Sequence, residues 1–330
     1  MNNSNVPLVS VLTPTWNRAE YLRKVWSGLC SQNYTNLEWI IANDGSIDNT
    51  KDLIFDLAKK SNFKVRLINS STRVGKAVMD NLLMKNSNGE FLLWNDSDDF
   101  LSPEAISQLV NAWNDIKDED KKDFIGVMGL NKDISGLSQT FLNPSNKPYE
   151  DFSWDDLAEK KIGDGSILVR KELTLGKRFE EVDFLITEES LWKSVYSGKK
   201  IRVIYEYIKT MDRTAPESVS FGKKLRYSRG SLKAISIIEN GEYFYKKNIF
   251  NRIFIVINYW RYAVHSDVGF FKSFRDWSVV NKNPLYLFLI PAGLAYVFRD
   301  NLLNKVEKTH IDFDRALKNH NIDIFDLNFE

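Results

Sequence analysis

Gly89-Glu-Phe-Leu-Leu-Trp-Asn-Asp-Ser-Asp-Asp99 is the stretch on which the fold turns. Phe91 to Trp94 is a short apolar run, the length of a buried strand, and it stops on the acids Asp96, Asp98 and Asp99. Pro103 sits at a helix start, and Ile106, Leu109, Val110 and Trp113 then recur at helical spacing. A strand that ends on carboxylates and turns into a helix is one unit of an alternating βα sheet. Toward the N-terminus the rhythm repeats. Val9 to Leu12 is closed by Thr13-Pro14-Thr15, and Leu22, Val25, Trp26 and Leu29 follow on one helical face. Glu38 to Ala42 ends at Asn43-Asp44-Gly45-Ser46, with Ser46 or Asp48 placed to cap the helix of Leu53, Ile54 and Leu57. Lys64 to Asn69 alternates as a third strand, and Gly75 to Met84 is helical. Toward the C-terminus, Phe124 to Leu130 and Ile167 to Val169 predict two more strands, and Glu188 to Tyr196 a short helix. The class is α/β with a mainly parallel sheet, whose ligands bind beyond the carboxyl ends of the strands.

Composition narrows the field. A chain of 330 residues makes one large domain or two coupled ones. Its 45 basic and 44 acidic residues leave a net charge of +1, which excludes a nucleic-acid binder held by bulk charge. One cysteine, Cys30, and three scattered histidines exclude an internal disulfide and a structural zinc site. The first residues carry no basic n-region, so no signal peptide is expected and the expected setting is cytoplasmic. Charge is uneven: residues 201–299 hold 16 basic and 7 acidic side chains. The most apolar window, Pro284 to Phe298, falls short of the roughly 20 residues that span a bilayer.

The acids carry the chemistry. Neither G-x-G-x-x-G after the first strand nor G-x-x-x-x-G-K-[ST] occurs. Bare carboxylates repel phosphate and make sense beside a diphosphate when a divalent cation bridges the two. If Asp96-x-Asp98 stays extended, both side chains point to one side, one for a metal and one for a hydroxyl.

Three segments in order, Val9 to Arg18, Trp39 to Thr50 and Gly89 to Asp99, resemble the family 2 glycosyltransferases of the GT-A fold. The resemblance covers residues 6–115 well and thins toward 215. It implies a nucleotide-diphospho-sugar transferase fold, a Rossmann-like sheet flanked by helices, with a mostly helical C-terminal extension. It implies a nucleotide-sugar donor, UDP-sugar by preference, and transfer with inversion at the anomeric carbon. By that resemblance Thr13, Pro14 and Thr15 line the nucleoside site and Asp44 bonds the base. Asp96 holds the ribose or sugar, Asp98 binds Mn²⁺ or Mg²⁺, and Arg73 contacts the donor. Glu189, with Glu188 beside it, falls where the family places its catalytic base. Asn43 departs from the pattern, where many members have Asp. The implied acceptor is a saccharide, lipid-linked, in bacterial cell-surface polysaccharide assembly. The expected organisation is a catalytic domain over 1–220 (nucleotide-sugar binding 6–130, acceptor and base region 131–220). A helical, basic and aromatic region follows over 221–330, on the inner face of the membrane as a peripheral protein, with Leu285, Phe288, Leu289 and Tyr296 inserting.

Plainer readings stand beside these. The acids at 96–99 also read as a solvated turn in which Asp99 or Ser102 caps the next helix, and Asp44 as an Asx turn before Gly45. Glu188 and Glu189 also read as first-turn acids favoured by the helix dipole, behind Thr187 as cap. The window 284–298 also reads as a buried helix. The rival functions are a nucleotidyltransferase on a similar scaffold and a non-catalytic saccharide-binding relative.

Overall fold

The computed structural model describes residues 6–142, 147–160, 162–182, 186, 188–212, 228–239, 244–245, 247–266, 268, 270–277, 279, 282–303 and 321–327. The alternation begins as the sequence predicts, with β1 (Val9–Thr15), α1 (Ala19–Cys30), β2 (Leu37–Asp44), α2 (Thr50–Ala58), β3 (Lys64–Ser70), α3 (Lys76–Asn86) and β4 (Phe91–Trp94). Next come β5 (Asp99–Leu101), α4 (Ala105–Asn114), β6 (Phe124–Asp133), β7 (Tyr149–Ser153), α5 (Trp154–Lys160), β8 (Gly165–Arg170), α6 (Glu189–Tyr196) and β9 (Lys200–Met211). The remaining elements are α7 (Ser228–Ile238), α8 (Ile249–His265), α9 (Phe270–Asp276), a 3₁₀ stretch (Pro284–Leu289), α10 (Ile290–Leu302) and β10 (Ile322–Leu327).

Ten strands among the described residues form one sheet in the order β10-β3-β2-β1-β4-β8-β6-β9-β5, with β7 also on β9. Strands β3, β2, β1 and β4 run parallel, so their carboxyl ends share one edge. Beyond β4 the sheet is mixed: β8 is antiparallel to β4 and β6, β5 and β7 are antiparallel to β9, and β6 is parallel to β9. Strands β1 and β2 are buried along their whole length, which is why they read as mostly apolar, and the buried Ser10 hydroxyl donates to Glu38 Oε1 between them. Helix α1 buries Leu22, Val25 and Leu29 against the same core. Each such side chain contributes about 1.5–3 kcal/mol.

The chain divides into two compact units, Met1–Arg178 with Ser194–Ser218 and Asp314–Glu330, and Phe179–Lys193 with Val219–Phe313. This differs from a boundary at residue 220. The segment ahead of α6 groups with the later helices. The last strand, inside the region read as helical, pairs antiparallel with β3 from Ile322↔Ser70 to Leu327↔Val65. Among the described residues no helix is long and apolar enough to cross a membrane.

The second unit has its own core, in which Phe244, Val256, Tyr259, Trp260, Trp277 and Tyr286 are buried. Gly293 of α10 lies against α8: a Cβ there would stand 2.8 Å from Trp260 Cβ and 3.2 Å from the Ile257 carbonyl. One turn-pair further along α10, Asp300 is 0% exposed. Arg261 Nε and Nη2 donate to its two oxygens at 2.5 and 2.9 Å, and His265 Nε2 lies 3.2 Å away. Burial opposes ionisation of Asp300, but the hydrogen bonds and charges of Arg261 and His265 outweigh it and hold the carboxyl below its ordinary range. A depressed carboxyl pKa adds stability that is complete above the unfolded value, about 3.9, and is lost as pH falls through the lower folded value. Asp300→Ala leaves the partly buried Arg261 without that partner. It is expected to cost the second unit about 3 kcal/mol at neutral pH, and less in acid once the pH has fallen through the folded-state value. Urea unfolding followed by tryptophan fluorescence at both pH values measures this, and an equal loss at both would refute the ion-pair account.

Candidate active site at the carboxyl ends of the parallel strands

The β1 and β2 ends are laced together by side chains. Asn17, the one described non-glycine residue at positive φ (51°), turns the chain after β1. Its N–H donates to Ser46 Oγ at 2.9 Å, and its Oδ1 accepts from Ile47 N–H at 2.9 Å. Ser46 Oγ in turn donates to Asn43 Oδ1, and Asn43 Nδ2 donates to Asn69 Oδ1 at 2.8 Å. Asn43 thus acts as donor and acceptor at once, a combination an ionised aspartate lacks. That is a physical reason for asparagine at this position.

Asp44 ends β2 and is buried. Its Oδ1 accepts from Val74 N–H at 2.6 Å, and both oxygens accept from Gly75 N–H at 3.1 and 3.0 Å. The carboxylate therefore orders the loop before α3. Gly45 (φ +66°) lets that loop close in, since a Cβ would stand 2.3 Å from the Thr72 carbonyl carbon. The same loop carries Arg73, whose guanidinium carbon lies 3.5 Å from the centre of the Trp16 ring. Thr13 is spent inside: its hydroxyl donates to Asn95 O at 2.8 Å and accepts from Trp39 Nε1 at 3.0 Å. Pro14 is buried beside it in β1. Thr15 is different. Its Oγ1 is buried and has no hydrogen-bond partner among the described residues.

At the end of β4 the acids do not stay extended. Asp99 N–H donates to Asp96 O at 3.1 Å and closes a turn, so the two side chains take different neighbours. Asp96 Oδ1 lies 3.8 Å from Lys76 Nζ, and Asp98 Oδ2 lies 3.9 Å from Arg18 Nη1. Asp99 opens β5, which pairs with β9, and its Oδ2 lies 2.9 Å from Lys209 Nζ with both side chains buried. Their electrostatics diverge accordingly. Desolvation opposes ionisation of Asp96, but Lys76, Lys209 and Arg18 outweigh it and hold its carboxyl low. Burial, then the charges of Asp96 and Asp99, push Asp98 up to about 6 against the pull of Arg18. Burial and Asp96 likewise raise Asp99, with Lys209 opposing.

Glu188 and Glu189 belong to the second unit. The Glu188 carbonyl accepts the N–H groups of Leu191 and Trp192 at 3.0 and 3.2 Å, so its main chain closes the first turn of α6. The Glu189 side chain and Thr187 lie outside the described residues.

Sequence reading passed over three side chains of this site. Lys76 bonds Asp80 Oδ2 at 2.9 Å, and Trp94 Nε1 donates to Asp80 Oδ1 at 3.1 Å, so the buried Asp80 ties α3 to the end of β4. Lys76 and Asp80 are spaced i,i+4 on one helix, a signal open to sequence. Lys209 follows the buried Ile208 near the end of β9, one of three cations in that strand, so nothing in the sequence singles it out.

The residues fit a divalent ion of the hard, oxygen-bound kind. Asp98 is an anion crowded by two others, and a cation relieves that crowding. Among the described residues no three His, Cys, Asp or Glu side chains converge as a metal cage. An Mg²⁺-like ion needs only one or two carboxylates when phosphate oxygens and water complete its shell.

An α/β sheet with acids and cations gathered at its parallel strand ends is a frame that can hold a charged ligand. The family described as "Glycosyl transferase family 2" matches residues 10–167. The GalNAc(5)-diNAcBac-PP-undecaprenol beta-1,3-glucosyltransferase of Campylobacter jejuni is 25% identical over 315 residues, covering 93% of this chain and 98% of its own. The hyaluronan synthase of Pasteurella multocida is 31% identical over 159 residues, which is 48% of this chain and only 15% of that one. The crystal structure of S. aureus TarS 1-349 in complex with UDP-GlcNAc superposes with a TM-score of 0.55 at 16% identity, covering 91% of this chain and 81% of that one. Residues 10–167, just under half of the chain, match the family 2 glycosyltransferases, and the chain is a glycosyltransferase of the GT-A fold with relatives in bacterial polysaccharide synthesis.

Proposed function

We propose that this glycosyltransferase moves a sugar from a UDP-sugar to a lipid-linked saccharide, with inversion, in bacterial cell-surface polysaccharide assembly. One observation carries the reading: Asp96, Asp98 and Asp99 meet Arg18, Lys76 and Lys209 at the carboxyl ends of the parallel strands. A mixed cluster of that kind suits a nucleoside diphosphate, whose own charge is negative and whose counter-ion is positive. The lipid-linked acceptor is supported by the undecaprenol in the name of the Campylobacter jejuni relative.

In this reading Asp44 fixes the loop that carries Arg73 and hydrogen-bonds the base. Thr15 gives its buried hydroxyl to the nucleoside, with Thr13 and Pro14 shaping the strand beneath. Asp96 takes a ribose or sugar hydroxyl, and Asp98 holds Mn²⁺ or Mg²⁺. A bound ion of this kind supplies charge stabilisation to the departing diphosphate. Arg18 and Lys76 add positive charge on the same side, and Lys209 keeps Asp99 engaged within the sheet. Glu189 removes the proton of the acceptor hydroxyl as its oxygen attacks the anomeric carbon. The bond from that carbon to the diphosphate oxygen breaks as the new glycosidic bond forms, from the opposite face.

Thermal unfolding of the protein with a panel of nucleotides and nucleotide sugars tests the donor. With Mn²⁺, UDP and one UDP-sugar are expected to stabilise by about 2.7 kcal/mol at a hundred times their Kd, and less without metal. Stabilisation by no uridine ligand, or by guanosine ligands instead, sinks the UDP assignment.

A further inference from the structure

Helix α10 is apolar on its outward face and buries its one carboxylate on the inward face, where Ile290 also packs on the core. At 100° per residue, Gly293 and Asp300 share the face turned to α8, where Asp300 meets Arg261 and His265. The opposite face carries Pro291, Leu294, Ala295, Phe298 and Leu302, all exposed. Phe298 is 67% exposed and Leu302 70%, while the carboxylate is at 0%. Phe288, in the 3₁₀ stretch just before, is 80% exposed. An amphipathic helix on a protein surface normally shows its charges to water and its apolar stripe to the core. Single exposed apolar residues need no explanation, but a continuous stripe does.

Charge identifies the medium outside. Between residues 282 and 303 the charged side chains are Lys282, Arg299 and Asp300. Lys282 and Arg299 are exposed, and Asp300 is buried, paired with Arg261 from within and lying 3.6 Å from Arg299 Nη2. Within residues 282–303 the outward face is therefore apolar and its exposed charges are positive. Exposed Lys272 and Arg275 on α9 add to that balance, with Asp276 the exposed acid there. A second copy of the same face brings like charges together. An anionic bilayer surface satisfies both features, taking the apolar side chains into its headgroup boundary and the cations beside its phosphates.

We propose that this face of α10, with the 3₁₀ stretch before it, rests on an anionic membrane surface through Phe288, Leu294, Phe298 and Leu302. The attachment is interfacial, for the window is broken into a 3₁₀ stretch and a 13-residue helix. Two side chains expected from sequence to insert are turned elsewhere. Leu289 packs against the core of the second unit. Tyr296 lies 4.4 and 5.7 Å beneath the guanidinium groups of Arg299 and Arg261. The inference deepens the lipid-linked acceptor proposed above, yet it stands on the second unit's own side chains.

Flotation of the full chain tests it, with vesicles of equal parts phosphatidylcholine and phosphatidylglycerol, and with phosphatidylcholine alone. The protein is expected to float with the mixed vesicles at low salt, less at high salt, and weakly with the neutral ones. Phe298→Ser with Leu302→Ser is expected to lower the bound fraction about tenfold. Both positions face solvent, so the melting temperature and its rise with UDP and Mn²⁺ should be unchanged. Lys282→Glu with Arg299→Glu is expected to abolish the preference for anionic vesicles. Flotation that fails at low salt, or that survives the serine pair, overturns the proposal. So does a dimer in size-exclusion chromatography that the serine pair converts to monomer. None of these outcomes touches the UDP response, so failure of the membrane surface and failure of the donor assignment read separately.

Discussion

Asp98→Ala is expected to lower turnover by at least about a hundredfold while leaving the fold intact. Losing a main electrostatic stabiliser of a developing charge has that scale. Asp98 is the carboxylate of the three with no close lysine: Asp96 has Lys76, Asp99 has Lys209, and Arg18 stands 3.9 Å from Asp98. Its carboxyl is the one pushed up to about 6, by burial and by the other two acids. An anion held in such surroundings has little structural use and a clear use as a cation ligand. Alanine removes like-charge crowding, so the metal-free melting temperature should hold or rise. The rise that Mn²⁺ gives to the UDP complex of the parent should disappear. Asp99→Ala makes the contrast, because it leaves Lys209 buried beside an empty partner and should lower the melting temperature itself. Near-normal turnover of Asp98→Ala, or a Mn²⁺ response equal to the parent's, would remove Asp98 from the metal.

The half of the fold that was legible in sequence is the half built from buried parallel strands. Val9–Leu12, Glu38–Ala42 and Phe91–Trp94 are mostly apolar because both faces of those strands are covered, and their intervening helices bury one regular face. The rest failed for identifiable reasons. Strand β5 is three residues long and begins on Asp99, which reads as a turn acid until β9 is paired to it. Strand β10, Ile-Asp-Ile-Phe-Asp-Leu, breaks strict alternation, with Phe325 and Leu327 packed and Ile324 exposed, and its partner β3 lies some 250 residues earlier, so no local pattern states that pairing. At the site, residue types were legible and connections were not. Asp44 reads as an acid after a strand, whereas its bonds to Val74 and Gly75 depend on a loop closing over Gly45. Asp96 and Asp98 read as neighbours on one side of a strand, and one backbone hydrogen bond from Asp99 to Asp96 separates them.

Glu189→Gln is expected to lower kcat by about a hundred- to ten-thousandfold, the range of a lost general base. Glutamine keeps the size and the reach and removes the proton acceptor. Donor binding precedes this step, so the stabilisation by UDP and Mn²⁺ should stay at the parent's level while kcat falls. The neighbouring Glu188 supplies the control. Its carbonyl accepts the first N–H groups of α6, a main-chain role that glutamine preserves. Either substitution removes one negative charge from the helix N-terminus, which costs about 0.3–1 kcal/mol of helix stability in both cases. A loss of turnover caused by a frayed α6 would therefore appear in both variants alike, whereas loss of a base appears in one. Steady-state rates with the donor identified by thermal shift, set beside melting temperatures, separate the two. If Glu188→Gln is the crippled protein and Glu189→Gln turns over normally, the base is Glu188 and the register shifts by one residue. If both turn over normally, the acceptor's proton leaves to a group outside α6, and the correspondence with the family's late acid fails for this chain.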